Sequence, residues 1–213
     1  MKTFALIAEG MTDVAVIERI IDGVFGNDAA VNPLMPLRDA TDSSIAKDNT
    51  FSNWELVLKY LDSDQVKTAL DTNDYLIVQI DTDAGEHENF GLSLHENGER
   101  IPINRTISDC SEILKNRLGV NATPENLARI FFAIPVLSTE CWLIFLHQNN
   151  YAHNENTINN CEKRLSATLK SRTAKTYKNY SSISKKFSKK KILEAACEAT
   201  PCLKSFVDQI RAA

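Results

Sequence analysis

Three nearly unbroken apolar runs, TFALIA (3–8), YLIVQI (75–80) and IFFAIPV (130–136), decide most of what this chain can fold into. A strand exposed on one face alternates apolar and polar residues. A run that is apolar throughout fits a strand covered on both faces, as in a parallel sheet with helices on either side. Each run is followed by acidic residues: Glu9 after the first, Asp81 and Asp83 after the second, and Glu140 shortly after the third. Parallel strands present their C-terminal ends along one edge, and open α/β sheets bind ligands there. The same pattern therefore predicts an α/β fold and a place where carboxylates converge.

Helical spacing fills the intervals. Val14, Ile17, Ile20, Ile21, Val24 and Phe25 recur as one helix face closed by Gly26, and Thr12 or Asp13 is placed to cap its start. Residues 27–50 read as a loop with a short strand near Leu34–Leu37. Ser52-x-x-Glu55 is a capping box that predicts a helix over 52–62. Further helices are predicted over 106–118, with Gly119 past the end, and over about 139–147. A last helix opens at Pro201 behind Thr200. Strand and helix alternate over residues 1–150, and 151–213 read as a helical extension.

Composition excludes several classes. With 213 residues, 43% hydrophobic and 24% charged, the chain can bury a core without staples and does not read as disordered. The apolar run near the N-terminus is interrupted by Glu9 and is too short for a secretory signal, and no run approaches the roughly 20 residues that span a bilayer. The expectation is a cytoplasmic protein without membrane contact. Cys110, Cys141, Cys161, Cys197 and Cys202 are odd in number and form no CxxC, so reduced, buried thiols are expected rather than a zinc site or disulfide framework. His87, His95, His147 and His153 show no metal-ligand spacing.

The net charge of −4 conceals a division. Residues 1–162 carry 11 Lys and Arg against 25 Asp and Glu, whereas 163–191 carry 11 Lys and Arg and no acid. An acidic body suits a cation site, and a basic flank suits a polyanion. Within that flank Tyr177, Tyr180 and Phe187 are interleaved with the cations, a pattern that pairs charge for phosphates with rings for bases. Lys175, Lys178, Lys185, Lys186, Lys190 and Lys191 are the candidate nucleic-acid contacts.

Asp81 and Asp83, at i and i+2 of a strand end, point the same way and can share one cation. Asp13, four residues past Glu9, can turn back toward the same spot. Clustered carboxylates resist ionisation unless a cation neutralises them, and oxygen ligands without His or Cys select Mg²⁺ or Mn²⁺. Each piece has an ordinary alternative: Asp13 as a helix cap, Asp-x-Asp as a feature of sugar-nucleotide transferases, Glu86 and Glu88 as a solvated loop.

The segment LIAEGMTDVAVIERII resembles the first motif of the Toprim fold, a strand ending in Glu-Gly before a helix, and VQIDTDAG resembles its second, a strand ending in Asp-x-Asp. Within that group the pattern is similar to the OLD (overcoming lysogenization defect) nucleases and their small relatives in phage-defence systems. Asp13 matches their acidic residue four positions after the first Glu, and Ser138-Thr139-Glu140 matches their Ser-x-Glu. The resemblance covers residues 3–145. It implies a Toprim-like, Rossmann-like parallel sheet flanked by helices. It also implies a nuclease in which Glu9, Asp13, Asp81, Asp83, Ser138 and Glu140 hold two Mg²⁺ or Mn²⁺ ions. Glu9, Asp81 and Asp83 would be catalytic, with a lysine that stabilises charge on the phosphate. Lys185, Lys186, Lys189, Lys190 and Lys191 fall in the region of that lysine, and Lys189 is taken as the candidate. Full-length OLD proteins carry an ATPase, and no GxxxxGK[ST] occurs here, so a separately encoded ATPase is an implied partner. A homodimer is a further implication. Two other classes stay open: a regulatory or nucleic-acid-binding subunit on the same scaffold, and a small phosphotransfer enzyme, for which no glycine-rich phosphate loop is visible.

Overall fold

A computed structural model describes residues 1–36, 53–148, 154, 158–170 and 174–213. Strand β1 (Lys2–Ile7) leads into helix α1 (Met11–Phe25), a 3-10 turn at Gly26–Asp28 and strand β2 (Ala29–Met35). Helices α2 (Asn53–Leu61) and α3 (Gln65–Thr72) precede strand β3 (Tyr75–Gln79). A small antiparallel hairpin of β4 (His95–Glu96) and β5 (Glu99–Arg100) follows, then α4 (Ile103–Arg117), the single turn α5 (Pro124–Leu127) and strand β6 (Ile130–Ala133). Among the described residues five helices follow: α6 (Thr139–His147), α7 (Cys161–Thr168), α8 (Tyr177–Ile183), α9 (Lys190–Ala199) and α10 (Pro201–Arg211), with a 3-10 turn at Lys185–Ser188.

The main sheet has the order β2-β1-β3-β6, and every pair in it is parallel. All three apolar runs are therefore adjacent strands, and their central residues, such as Leu6, Ile77 and Phe132, are buried. Helical cover on both faces is what makes a run without polar alternation stable there. The chain leaves β1 toward β2 on one side and leaves β3 toward β6 on the other. The carboxyl ends of β1 and β3 thus flank a topological switch point, the crevice where open sheets accept ligands.

The basic, helical C-terminal portion is built onto the same core rather than hung from it. Leu193, Phe206 and Ile210 share one hydrophobic cluster with Phe4, Ile17 and Ile77. Gln209 completes the join: its Oε1 accepts from Phe132 N at 2.9 Å and its Nε2 donates to Phe132 O at 3.1 Å. These bonds satisfy backbone groups of β6, which among the described residues has a partner strand on one side only, and an uncovered edge is a template for unwanted pairing.

Local differences from the sequence expectations have identifiable causes. The residue that starts α1 is Gly10, in extended conformation with no side-chain cap, so neither Thr12 nor Asp13 is the cap; Asp13 lies in the first turn, turned to the site described below. The strand expected near 34–37 runs instead from Ala29 to Met35, because pairing with β1 overrides its weak local pattern. Cys141 and Cys161 form a disulfide joining the first turn of α6 to the start of α7, which corrects the expectation of five reduced thiols; Cys110, Cys197 and Cys202 are free and buried. Tertiary packing brings those two cysteines together across a sequence separation of 20, a contact that spacing alone does not encode. Leu37, Ser52 and His153 lie outside the described residues. No described helix is long and apolar enough to cross a membrane.

Candidate metal centre at the sheet switch point

The carboxyl ends of β1 and β3 are joined by a side-chain ladder that extends beyond the strands themselves. Glu9 N donates to Gln79 Oε1 at 3.0 Å, and Gln79 Nε2 donates to Asp81 Oδ1 at 2.7 Å. Asp81 N returns the connection by donating to Glu9 Oε1 at 2.6 Å. The second join, between β3 and β6, is made by Thr82. Its backbone N donates to Leu137 O at 3.0 Å and its hydroxyl accepts from Leu137 N at 2.8 Å. Leu137 sits at φ 73°, a region that a branched residue with a Cβ rarely enters, and the Thr82 bonds hold it there. The result is that the chain turns sharply into Ser138, and α6 begins with Glu140 in its first turn.

Helices α1 and α6 therefore both begin at the same edge of the sheet. They are linked by a short hydrogen bond from the Thr139 hydroxyl to Asp13 Oδ1. Glu140 Oε1 accepts from the Tyr180 hydroxyl of α8 at 2.7 Å, and Lys175 Nζ lies 3.5 Å from the same oxygen and 2.9 Å from Glu162 Oε2. Together these contacts surround a cavity of about 470 Å³ whose lining includes Glu9, Asp13, Asp81, Asp83, Ser138 and Glu140. All six residues expected to hold cations thus face one space, with Lys163 and Lys175 at its wall.

The electrostatics follow from burial first and from the crowding of like charges second. Burial, followed by the charge of Asp13, pushes Glu9 up from 4.5 to about 8. Burial likewise lifts Asp13 from 3.8 to about 7, with Glu140 adding to the rise. Burial first, then Asp13, Glu9 and Glu140, drives Asp81 well above the ordinary carboxylate range, and Asp83 is raised mainly by burial. Glu140 is the exception. Burial alone would raise it, but hydrogen bonds from Ser138 and Tyr180 and the Lys175 ammonium outweigh that and hold it below its usual value. One carboxylate with its own cation beside four that resist ionisation is a site short of positive charge.

The donor set is all oxygen, which fits a hard divalent cation such as Mg²⁺ or Mn²⁺. No described group of three or more His, Cys, Asp or Glu side chains is drawn together tightly enough to form a ready-made metal cage. The fit rests on the chemistry of the lining and on its unmet charge. Cys161 also lines the cavity, but its sulfur is committed to the disulfide.

Of the two lysines in the lining, Lys175, which the sequence placed among the nucleic-acid contacts, is the one that the structure pairs with the site carboxylate Glu140. Lys189, the sequence candidate for the catalytic lysine, precedes α9 and is not part of the cavity lining. The neighbouring turn Lys185–Ser188 packs against α1 at Gly23, where a Cβ would come within 2.1 Å of Phe187 O. Asp13 and Gly23 are ten residues apart on one helix, a distance of about 15 Å, so Lys185, Lys186, Lys189, Lys190 and Lys191 lie well away from the carboxylates. Lys186 Nζ donates to Leu146 O at 3.1 Å, satisfying a carbonyl at the end of α6. Lys178, Lys185, Lys189, Lys190 and Lys191 are exposed.

The interleaved rings need a different reading from the one their spacing suggested. Tyr180 and Phe187 are buried in the core, and the Tyr177 hydroxyl makes a short bond to Glu18, so these rings pack the flank against α1. Tyr180 and Phe187 therefore present no open face to a base. Glu86 pairs with His95 at 2.8 Å and, like Glu88, is absent from the cavity lining. Gln79, Thr82, Thr139 and Tyr180, which position the carboxylates, were not singled out for that part by the sequence. The available signal was Gln79, the lone polar residue of YLIVQI.

No family model matches the chain, and neither a curated protein nor a solved structure does.

Proposed function

We propose that this chain is a Mg²⁺- or Mn²⁺-dependent nuclease with a Toprim-like catalytic fold, cleaving phosphodiester bonds of DNA or RNA. The observation that carries the reading is the convergence of five carboxylates from three adjacent strand ends into one cavity at the switch point, with a lysine beside them. Glu9, Asp13, Asp81, Asp83 and Glu140 would hold the cations, two in number, with Ser138 in support. When bound, such ions supply Lewis-acid activation of water and stabilisation of the leaving oxygen.

The chain's own residues contribute the rest. Asp81 and Glu9 are fixed by the ladder through Gln79, which presents them in one orientation and lowers the reorganisation needed on binding. Tyr180 holds Glu140 toward the cavity. Lys175, half exposed and within reach of the cavity, is placed to meet a phosphate oxygen once Glu140 has a stronger cation to face. The exposed lysines of the flank offer sequence-independent attraction for a phosphate backbone, sensitive to salt.

The decisive experiment incubates the purified chain with plasmid, single-stranded DNA and transfer RNA in Mg²⁺, Mn²⁺ or EDTA, beside Asp81→Asn. Cleavage of at least one substrate by the wild type, dependent on the divalent ion and lost in Asp81→Asn with an unchanged circular-dichroism spectrum, is expected. Equal cleavage by a folded Asp81→Asn protein would rule out the site. Running the assay with and without an added ATPase partner distinguishes an autonomous enzyme from one that depends on a partner.

A further inference from the structure

Gln79 is fully buried at the last position of β3. A buried amide is costly unless both its ends are paired. Here both are, and both partners belong to the candidate centre: the Glu9 backbone N–H at 3.0 Å and Asp81 Oδ1 at 2.7 Å. From this geometry we infer that Gln79 is a positioning residue for cation binding, a neutral clamp that sets the orientation of Asp81 and the separation of Asp81 from Glu9. The inference rests on the proposed reading of the site as a cation centre.

Three features of the clamp lead to this assignment. An amide offers a donor and an acceptor at a fixed separation, which bridging a backbone N–H to a carboxylate requires; a carboxylate or an ammonium at the same place offers only one of the two. Its neutrality adds no charge to a cluster in which Glu9, Asp13 and Asp81 already resist ionisation. The bond to Asp81 Oδ1 also stops rotation of that carboxylate. It leaves the second oxygen for whatever occupies the cavity that Asp81 lines. Asp81 N, donating back to Glu9 Oε1 at 2.6 Å, closes the ring, so loss of the Gln79 side chain leaves that one bond between Asp81 and Glu9 and frees the Asp81 carboxylate to turn.

Partners that orient metal-binding side chains typically contribute 10- to 100-fold to metal affinity. The test measures Mn²⁺ binding to the full chain by electron paramagnetic resonance and calorimetry, well below the melting temperature, for the wild type, Gln79→Leu and Gln79→Met. Both variants fill the space and remove the clamp; methionine, being flexible, adapts where leucine does not. The expected result is a rise of roughly tenfold or more in the half-saturating Mn²⁺ concentration. Any cleavage activity should recover at saturating Mn²⁺, a split that a merely weakened fold does not produce. Unchanged Mn²⁺ affinity in a folded variant overturns the clamp. Failure of both variants to fold also overturns it, because that is the behaviour of an amide needed only for the fold. If the wild type itself takes up no Mn²⁺, the reading of the centre falls first. If it binds and the variants bind equally, only the inference about Gln79 falls.

Discussion

Asp13→Asn is the perturbation that isolates charge crowding from shape. Asp13 is 6% exposed and accepts from the Thr139 hydroxyl, and an asparagine oxygen can accept that same bond. The substitution therefore removes a charge and keeps that bond, and the contact of the second carboxylate oxygen with the Gly10 backbone is the one hydrogen bond it gives up. Asp13 is lifted from 3.8 to about 7, chiefly by burial. A carboxyl whose folded value is raised contributes its stability fully below its unfolded value and loses it as pH rises through the folded one. In the metal-free protein that window runs from about pH 4 to pH 7. At pH 8 the full shift sets an upper limit of about 4 kcal/mol, at roughly 1.4 kcal/mol per pH unit, and near pH 4 most of the difference is gone. Glu9 and Asp81 share the same repulsion and take up part of the proton, which brings the gain below the limit. Thermal melts in EDTA should show Asp13→Asn more stable than the wild type at pH 8. For a chain of this size each kcal/mol is about 2–4 °C, and the advantage should shrink toward zero near pH 4. Saturating Mn²⁺ should narrow or reverse the order, since only the wild type keeps its full set of ligands. An Asp13→Asn protein less stable than the wild type at pH 8 in EDTA, or an advantage independent of pH, would refute the crowding argument.

Two further outcomes follow from the geometry. Lys175→Met should lower any cleavage rate by about 100-fold or more, judged against other transition-state donors. It should change the melting free energy by less than about 1 kcal/mol, because the lysine is half exposed and its ion pairs are screened; an unchanged rate in the cleavage assay would remove Lys175 from the chemistry. Gly23→Ala should destabilise the protein by about 1–3 kcal/mol in urea unfolding, although alanine is the better helix former by about 1 kcal/mol. The cause is steric, since the new Cβ would stand 2.1 Å from Phe187 O and 2.9 Å from Leu193 Cδ2, and a stabilised variant would show that the flank does not pack on α1 this closely.

The parts of the molecule legible in the sequence are those fixed by local pattern. The three apolar runs became adjacent parallel strands, and the acids after them reached a common cavity, because strand direction alone brings strand ends to one edge. The helix expected at about 139–147 is α6, Thr139–His147, an apolar run bounded by polar residues and buried on nearly every side. What the sequence could not reveal depends on contacts between distant residues. Nothing in the spacing of Lys175 separates it from Lys189, yet the path of the chain through α7 and α8 brings one to Glu140 and leaves the other beyond the turn at Phe187. The same path pulls Tyr180 and Phe187 inward, so rings that looked like a stacking surface became the packing that holds a basic flank to an acidic body. Which cation stands inside the centre was decided by burial: Glu140, at 4% exposure, cannot remain ionised without donors, and the chain supplies them from Ser138, Tyr180 and Lys175. Glu9, Asp13, Asp81 and Asp83 receive hydrogen bonds, but these do not offset burial and the repulsion of neighbouring carboxylates, and that asymmetry between one compensated carboxylate and four uncompensated ones is the physical ground for expecting a cation beside them.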